Sequence, residues 1–223
     1  MTIPRAFIFD LNGTIIDDMG YHAIAWESMI NNHLKAGLSF EEVKMQMYGK
    51  NEELLVRIFG KDRFTKMEMA ALSLEKERLY QAAYKPLMKC IEGFQSFADK
   101  ALEQGVDMGI GSAAIMFNID FILDGLYLRE YFKSIVSADD VITSKPDPET
   151  FLKVVSQLSV EPKDCIVFED APKGVESAAN AGMKCVVIKT MHSEEEFSAY
   201  SNVLFFIDDY TDSRLYIDLL ANP

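Results

Sequence analysis

Six short apolar runs punctuate this chain, at residues 6–9, 108–110, 134–136, 165–168, 185–188 and 203–207. Their spacing limits what the chain can fold into. Uninterrupted apolar stretches this short, bounded by turn residues, suit strands buried on both faces. Helical patterns separate the later runs, at 93–104, 150–158 and 174–181. Strands alternating with amphipathic helices imply an α/β fold, a doubly wound parallel sheet covered by helices on both sides. Such sheets take their ligands at the carboxyl ends of the strands.

The first interval breaks this rhythm. Residues 9 and 108 are separated by far more chain than one crossover helix uses. The interval carries helical patterns at 21–34, 40–47, 52–59 and 66–84, with turn signals at Gly37, Gly49 and Gly60. The economical organisation is a core of residues 1–16 and 92–223, with an α-helical cap domain, residues 17–91, inserted after the first strand. Two domains in series would leave the run at 6–9 without a sheet.

Composition narrows the partners. A net charge of −13 opposes nucleic acid and anionic lipid, both of which demand basic surfaces. A phosphorylated ligand would need local lysines and a metal ion to reverse that field. Cys90, Cys165 and Cys185 have no CxxC spacing, as expected of reduced thiols in a cytoplasmic protein. No apolar run approaches the roughly 20 residues of a membrane helix, and no leader pattern is expected. We expect a monomer whose partner is a small phosphorylated molecule.

Acidic residues fall where the strands end. Asp10 closes the first run and is followed by Leu11-Asn12-Gly13-Thr14; Glu169-Asp170 close the fourth. If those strands are neighbours, three carboxylates converge at one sheet edge. They then need a cation or must take up protons. An all-oxygen set of this kind suits Mg²⁺. Taken alone, Asp170 would serve equally as a helix cap. In Ser144-Lys145-Pro146-Asp147-Pro148, Asp147 has the pattern of a helix N-cap. Pro146 holds Lys145 extended. Lys145 is a cation for the nucleophile if it lies beside Asp10, and otherwise an ordinary loop lysine. Ser112-Ala113 after the second run offers a hydroxyl and an amide to phosphate oxygens. Thr14 has the same capacity. His22 and Trp26 lie one helical turn apart in the first cap helix.

In this order, the motifs resemble those of the haloacid dehalogenase superfamily, in its helical-cap branch containing β-phosphoglucomutase and many small phosphatases. The family pattern DxDGT matches Asp10-Leu11-Asn12-Gly13-Thr14 except at its second aspartate. Ser112 matches the second motif, Lys145-Pro146-Asp147-Pro148 the third, and Glu169-Asp170 the fourth. The resemblance covers essentially the whole chain and implies a Rossmann-like core. Asp10 would form an aspartyl-phosphate. Mg²⁺ would be held by Asp10, the backbone carbonyl of Asn12, Asp170 and, directly or from behind, Glu169. Thr14, Ser112, Ala113 and Lys145 would hold the phosphoryl oxygens. His22 and Lys76 of the cap are further candidate substrate contacts, set against packing for His22 and, for Lys76 as for Lys50, against an ordinary solvated helix lysine.

The departures bear on function. Gly49-Lys50-Asn51-Glu52 lacks the arginine that binds a second phosphate in the mutase branch. Ala114-Ile115-Met116 replace its Ser-Lys-Asn. Asn12 replaces the acid/base aspartate, and an amide cannot carry that proton. Three origins of Asn12 fit the sequence: a specialised enzyme, a change that traps an intermediate, or partial conversion to aspartate by deamidation of Asn12-Gly13. The expected function is a Mg²⁺-dependent phosphohydrolase for a small phosphorylated metabolite. The alternatives are a mutase-type phosphotransferase and a non-catalytic binder of phosphorylated ligands.

Overall fold

A computed structural model describes residues 3–220. The elements run β1 (Ala6–Phe9), α1 (Met19–Glu27), α2 (Phe40–Met45), α3 (Asn51–Phe59), α4 (Lys66–Tyr84), α5 (Phe94–Glu103), β2 (Asp107–Gly111), α6 (Met116–Gly125), β3 (Ser134–Val136), α7 (Glu149–Leu158), β4 (Cys165–Glu169), α8 (Pro172–Asn180), β5 (Lys184–Ile188) and β6 (Val203–Ile207). Two compact units form: Asp18–Met88, and the remainder of the described chain.

The larger unit holds a six-stranded sheet in the order β3-β2-β1-β4-β5-β6, with every pair parallel. This is the expected doubly wound α/β sheet. Its order reverses between β1 and β4, and in such sheets a crevice for ligands opens beyond the strand ends at that point. Phe9 pairs with Phe168 in register, so the residues that follow each of them leave the sheet side by side.

Side-chain alternation explains why β1 is central. Ala6 and Ile8 face a cluster built from Val154 and Phe151 of α7, Val175 and Ala178 of α8, and Val167 and Val187 of the sheet. Phe7 and Phe9 face the opposite way, into an aromatic layer. Phe9 stacks on Phe168 at 4.7 Å between ring centroids and Phe7 on Phe97 of α5 at 5.3 Å; Tyr210 packs edge-on to Phe94. A strand that buries both faces must be apolar throughout, which is why this one is conspicuous in the sequence.

The smaller unit is wholly helical. Capping boxes start two of its helices, Ser39 with Glu42 at α2 and Thr65 with Glu68 at α4. Trp26, Met29, Ile30, Val43, Leu54 and Leu55 form its apolar centre. Among the described residues, no helix is long and apolar enough to cross a membrane.

Two local features differ from the sequence expectations. Helix α7 begins at Glu149 rather than directly after Asp147. The Asp147 carboxylate still caps it, accepting from the Glu149 amide at 2.9 Å. Helix α6 had no counterpart in the periodicity. Its N-cap is Ile115, which makes no side-chain capping bond, and its sequence is apolar around much of its circumference.

Candidate active site

Every core residue singled out from the sequence lies at or just beyond the carboxyl end of a strand, or in the loop before α7. Asp10 follows β1 and donates its backbone amide to the carbonyl of Phe168 on β4 at 2.9 Å. The chain then turns tightly. The amides of Thr14, Ile15 and Ile16 all donate to the Leu11 carbonyl, while Asn12 bridges to Ile16. Gly13 sits at φ +74°, in the left-handed region that glycine adopts without strain. Its missing side chain matters more. A Cβ there would lie 2.1 Å from Asp170 Oδ2, so Gly13 lets the β4 carboxylate press against the β1 loop.

Lys145 ties these strands together. Its ammonium donates to Asp10 Oδ1 at 2.6 Å and to Glu169 Oε1 at 2.8 Å, and it is buried with both partners. The geometry places Lys145 beside Asp10, the condition on which its role as a cation depended. Burial alone would strip the charge from the lysine; Asp10 and Glu169 outweigh it and hold the ammonium pKa well above its ordinary value. Burial also pushes Asp10 up to about 6, with Lys145 opposing and Glu169 adding to the rise. Asp170 is raised as well, by burial and then by Glu169 and Asp10. One lysine therefore does not neutralise three carboxylates, which leaves the cluster short of positive charge.

Glu169 has a different environment from the other two. Its Oε2 accepts from the amides of Asp170 and Ala171, both at 2.9 Å, at the entrance to α8, while Oε1 takes Lys145. The helix N-terminus favours that charge. The resemblance implies that Glu169 serves the metal directly or from behind. The structure turns both its oxygens to protein donors, because α8 starts immediately after it and supplies the amides. Among the described residues, no group of three or more His, Cys, Asp or Glu side chains stands ready to hold a metal. The oxygen donors left for a cation are the Asp10 and Asp170 carboxylates and nearby backbone carbonyls. That set fits Mg²⁺, which keeps several waters and uses one or two carboxylates plus substrate oxygens.

Gly174 in the first turn of α8 makes this possible. A Cβ at that position would stand 1.7 Å from Glu169 Oε1. Gly174→Ala is expected to cost about 1–3 kcal/mol, the usual penalty for forcing an extra methyl into a packed site, and to displace Glu169 from Lys145. Denaturant unfolding of the variant measures it.

The remaining core candidates line up with this group. Thr14 is fully buried and its Oγ1 lies 3.5 Å from Asp170 Oδ1. Ser112 follows β2, the other neighbour of β1. Its amide donates to Val136 and its Oγ accepts from the Ala114 amide at 3.1 Å, leaving the hydroxyl proton for another acceptor. Ala113 is half-buried beside it.

The sequence profile of the haloacid dehalogenase-like hydrolases matches residues 7–188, a span that contains all of these groups. The chain belongs to this family. Two relatives illustrate the range of the family. This hydrolase is 28% identical over 191 residues to the fructose-1-phosphate phosphatase YqaB of Escherichia coli, spanning 82% of this chain and 96% of that one. It is 30% identical over 195 residues to a β-phosphoglucomutase of Bacillus subtilis, spanning 82% of each. A solved structure from Entamoeba histolytica, described as a family IA, variant 3 hydrolase, superposes with a TM-score of 0.83 at 27% identity. The match covers 98% of this chain and all of that one.

The helical unit of the hydrolase holds the other two candidates, His22 and Lys76, in one buried polar group. Lys76 donates to both oxygens of Glu77, at 2.9 and 3.0 Å, and to His22 Nδ1 at 2.7 Å. The other ring nitrogen of His22, Nε2, lies 3.4 Å from Asp18 Oδ2. Tyr80 stacks on His22 at 3.7 Å and donates to Asp18 at 2.5 Å, and Asn51 donates to Glu77 at 2.6 Å. Burial lowers the Lys76 pKa, and Glu77 opposes that shift. Glu77 was not anticipated from the sequence. It is the immediate neighbour of Lys76, yet its role depends on Asn51 from another helix.

Proposed function

We propose that this hydrolase is a Mg²⁺-dependent phosphatase that removes phosphate from a small metabolite through an aspartyl-phosphate on Asp10. The observation that carries this reading is the Lys145 ammonium held between Asp10 and Glu169, with Asp170 packed against Gly13 of the same loop. A nucleophilic carboxylate, a buried cation and an oxygen-donor pair at one sheet edge are what phosphoryl transfer requires. That reaction is governed mainly by positioning and by neutralising the transferring oxygens. Relatives named as phosphatases support the same class.

In this mechanism an Asp10 oxygen attacks phosphorus as the bond to the leaving oxygen breaks, giving a phospho-Asp10 acyl phosphate and a leaving alkoxide that takes its proton from solvent water to become the alcohol. Lys145, the Ser112 hydroxyl and the amide of Ala113 bind the transferring oxygens, and the buried Thr14 hydroxyl braces Asp170. Mg²⁺ held by Asp10, Asp170 and the Asn12 carbonyl would supply further positive charge at that phosphoryl group. Water then attacks the phosphorus of phospho-Asp10, releasing inorganic phosphate and restoring the carboxylate. The Asn12 side chain has no proton to give the leaving oxygen and cannot take one from that water.

A phosphate-release screen over alkyl, aryl and acyl phosphates, with Mg²⁺ and with chelator, tests the assignment. Release that depends on Mg²⁺ is the expected result. Binding of a metal-fluoride phosphate mimic without release from any substrate would instead make the chain a non-catalytic binder.

A further inference from the structure

The Leu11 carbonyl of the β1 loop accepts from amides within the loop, while the carbonyls of Gly13, Thr14 and Ile15 accept from donors outside it. Thr14 O accepts from the Tyr210 hydroxyl at 3.0 Å, and Ile15 O from the Ile91 amide at 2.8 Å. Gly13 O accepts from the Thr190 hydroxyl at 2.8 Å. That same hydroxyl oxygen lies 3.4 Å from Asp170 Oδ2. Thr190 therefore touches both halves of the oxygen-donor set, the loop that carries Asp10 and Asn12 and the carboxylate of Asp170.

The sheet order accounts for this meeting. β1, β4 and β5 are consecutive and parallel, so Asp10, Asp170 and Thr190 leave the sheet at the same edge. Thr190 is itself anchored. Its amide donates to Ile188 at 3.1 Å in a tight turn, and the preceding Lys189 amide donates to Ile207 of β6 at 2.9 Å. The restraint falls on the residue that most needs one. Gly13 has the widest backbone freedom in the loop, and holding its carbonyl limits how the adjoining Asn12 peptide can rotate.

We propose that Thr190 is a positioning residue for the divalent-cation site: its hydroxyl fixes the Gly13 carbonyl against Asp170 and so sets the spacing of the cation's donors. The proposal rests on the reading of Asp10, Asp170 and the Asn12 carbonyl as those donors. Groups that orient metal ligands typically contribute ~10–100-fold to metal affinity.

Calorimetric titration of the full chain with Mg²⁺ alone, without substrate, tests the proposal on Thr190→Val, Thr190→Ser and Asp170→Asn. Valine keeps the branched shape and loses the hydroxyl; serine keeps the hydroxyl. The expected result is Mg²⁺ binding weakened by ~10-fold or more in Thr190→Val and close to wild type in Thr190→Ser, with similar thermal midpoints. Thr190→Ala carries the same expectation as valine if the valine variant folds poorly. Wild-type affinity in Thr190→Val, or equal losses in valine and serine, overturns the proposal while leaving the cation site standing. A wild-type chain that takes up no Mg²⁺, or an Asp170→Asn chain that binds as wild type, overturns the donor assignment itself and the role of Thr190 with it.

Discussion

Asp10→Asn is expected to abolish phosphate release, with turnover falling by ~10⁴-fold or more, on the scale seen when other enzymes lose their nucleophile. The substitution preserves the volume and most of the hydrogen-bonding capacity of a buried side chain. It removes the anionic oxygen that attacks phosphorus. Lys145 still has Glu169 at 2.8 Å, so the cation is not stranded and the fold should hold. Loss of activity with an unchanged thermal midpoint thus separates chemistry from stability. Mass spectrometry of acid-quenched enzyme adds a direct check, because phosphate should appear on the peptide containing Asp10 in the wild type and vanish in the variant. Turnover within ~10²-fold of wild type would remove Asp10 from the role of nucleophile.

Asn12→Asp is expected to act in the opposite direction and to discriminate among substrates. General acid–base assistance is typically worth ~10²–10⁴-fold, so turnover of alkyl phosphates should rise by at least ~10-fold. Their alkoxide leaving groups need a proton as the bond breaks. Aryl and acyl phosphates leave as weak bases, and their first step should change little. The gain has a cost. A fourth carboxylate would join a cluster where Asp10 and Asp170 are already raised by burial and by their acidic neighbours. The variant should therefore melt at a lower temperature than wild type in chelator, and the difference should narrow in Mg²⁺. Identical rates on alkyl phosphates before and after the change would refute the account of residue 12.

The two substitutions also show which parts of the site a linear sequence exposes. Strands β1 and β4 are apolar to the last residue before their acids because both faces are buried, so Asp10 and Glu169-Asp170 stand out sharply. Lys145 was visible only as half of a condition, since its partner lies across the sheet. Other parts had no local signature. Thr190 follows β5 in a stretch without a motif, and Tyr210 is one aromatic residue among many; contacts with the β1 loop alone give them meaning. Gly174 could be seen as part of a small-residue helix, but not that Glu169 occupies the space of its absent Cβ. In the helical unit, the pattern around Lys76 fits a solvated helix lysine or a charge for a ligand, and the side chain is in fact buried. The structure shows much of that charge already committed to Glu77.

The position of β1 in the sheet also has a consequence for how the protein is made. The first of these six strands to be made is flanked in the finished sheet by β2, which begins at Asp107, and β4, which begins at Cys165. During synthesis the apolar segment Ala6–Phe9 must wait for β4 while all of the helical segment Asp18–Met88, built from nearer contacts, has already been made. The stretch that carries the nucleophile is thus made before both of its neighbours and waits through more chain than any other strand for the second of them, so until β4 emerges it needs shelter from aggregation.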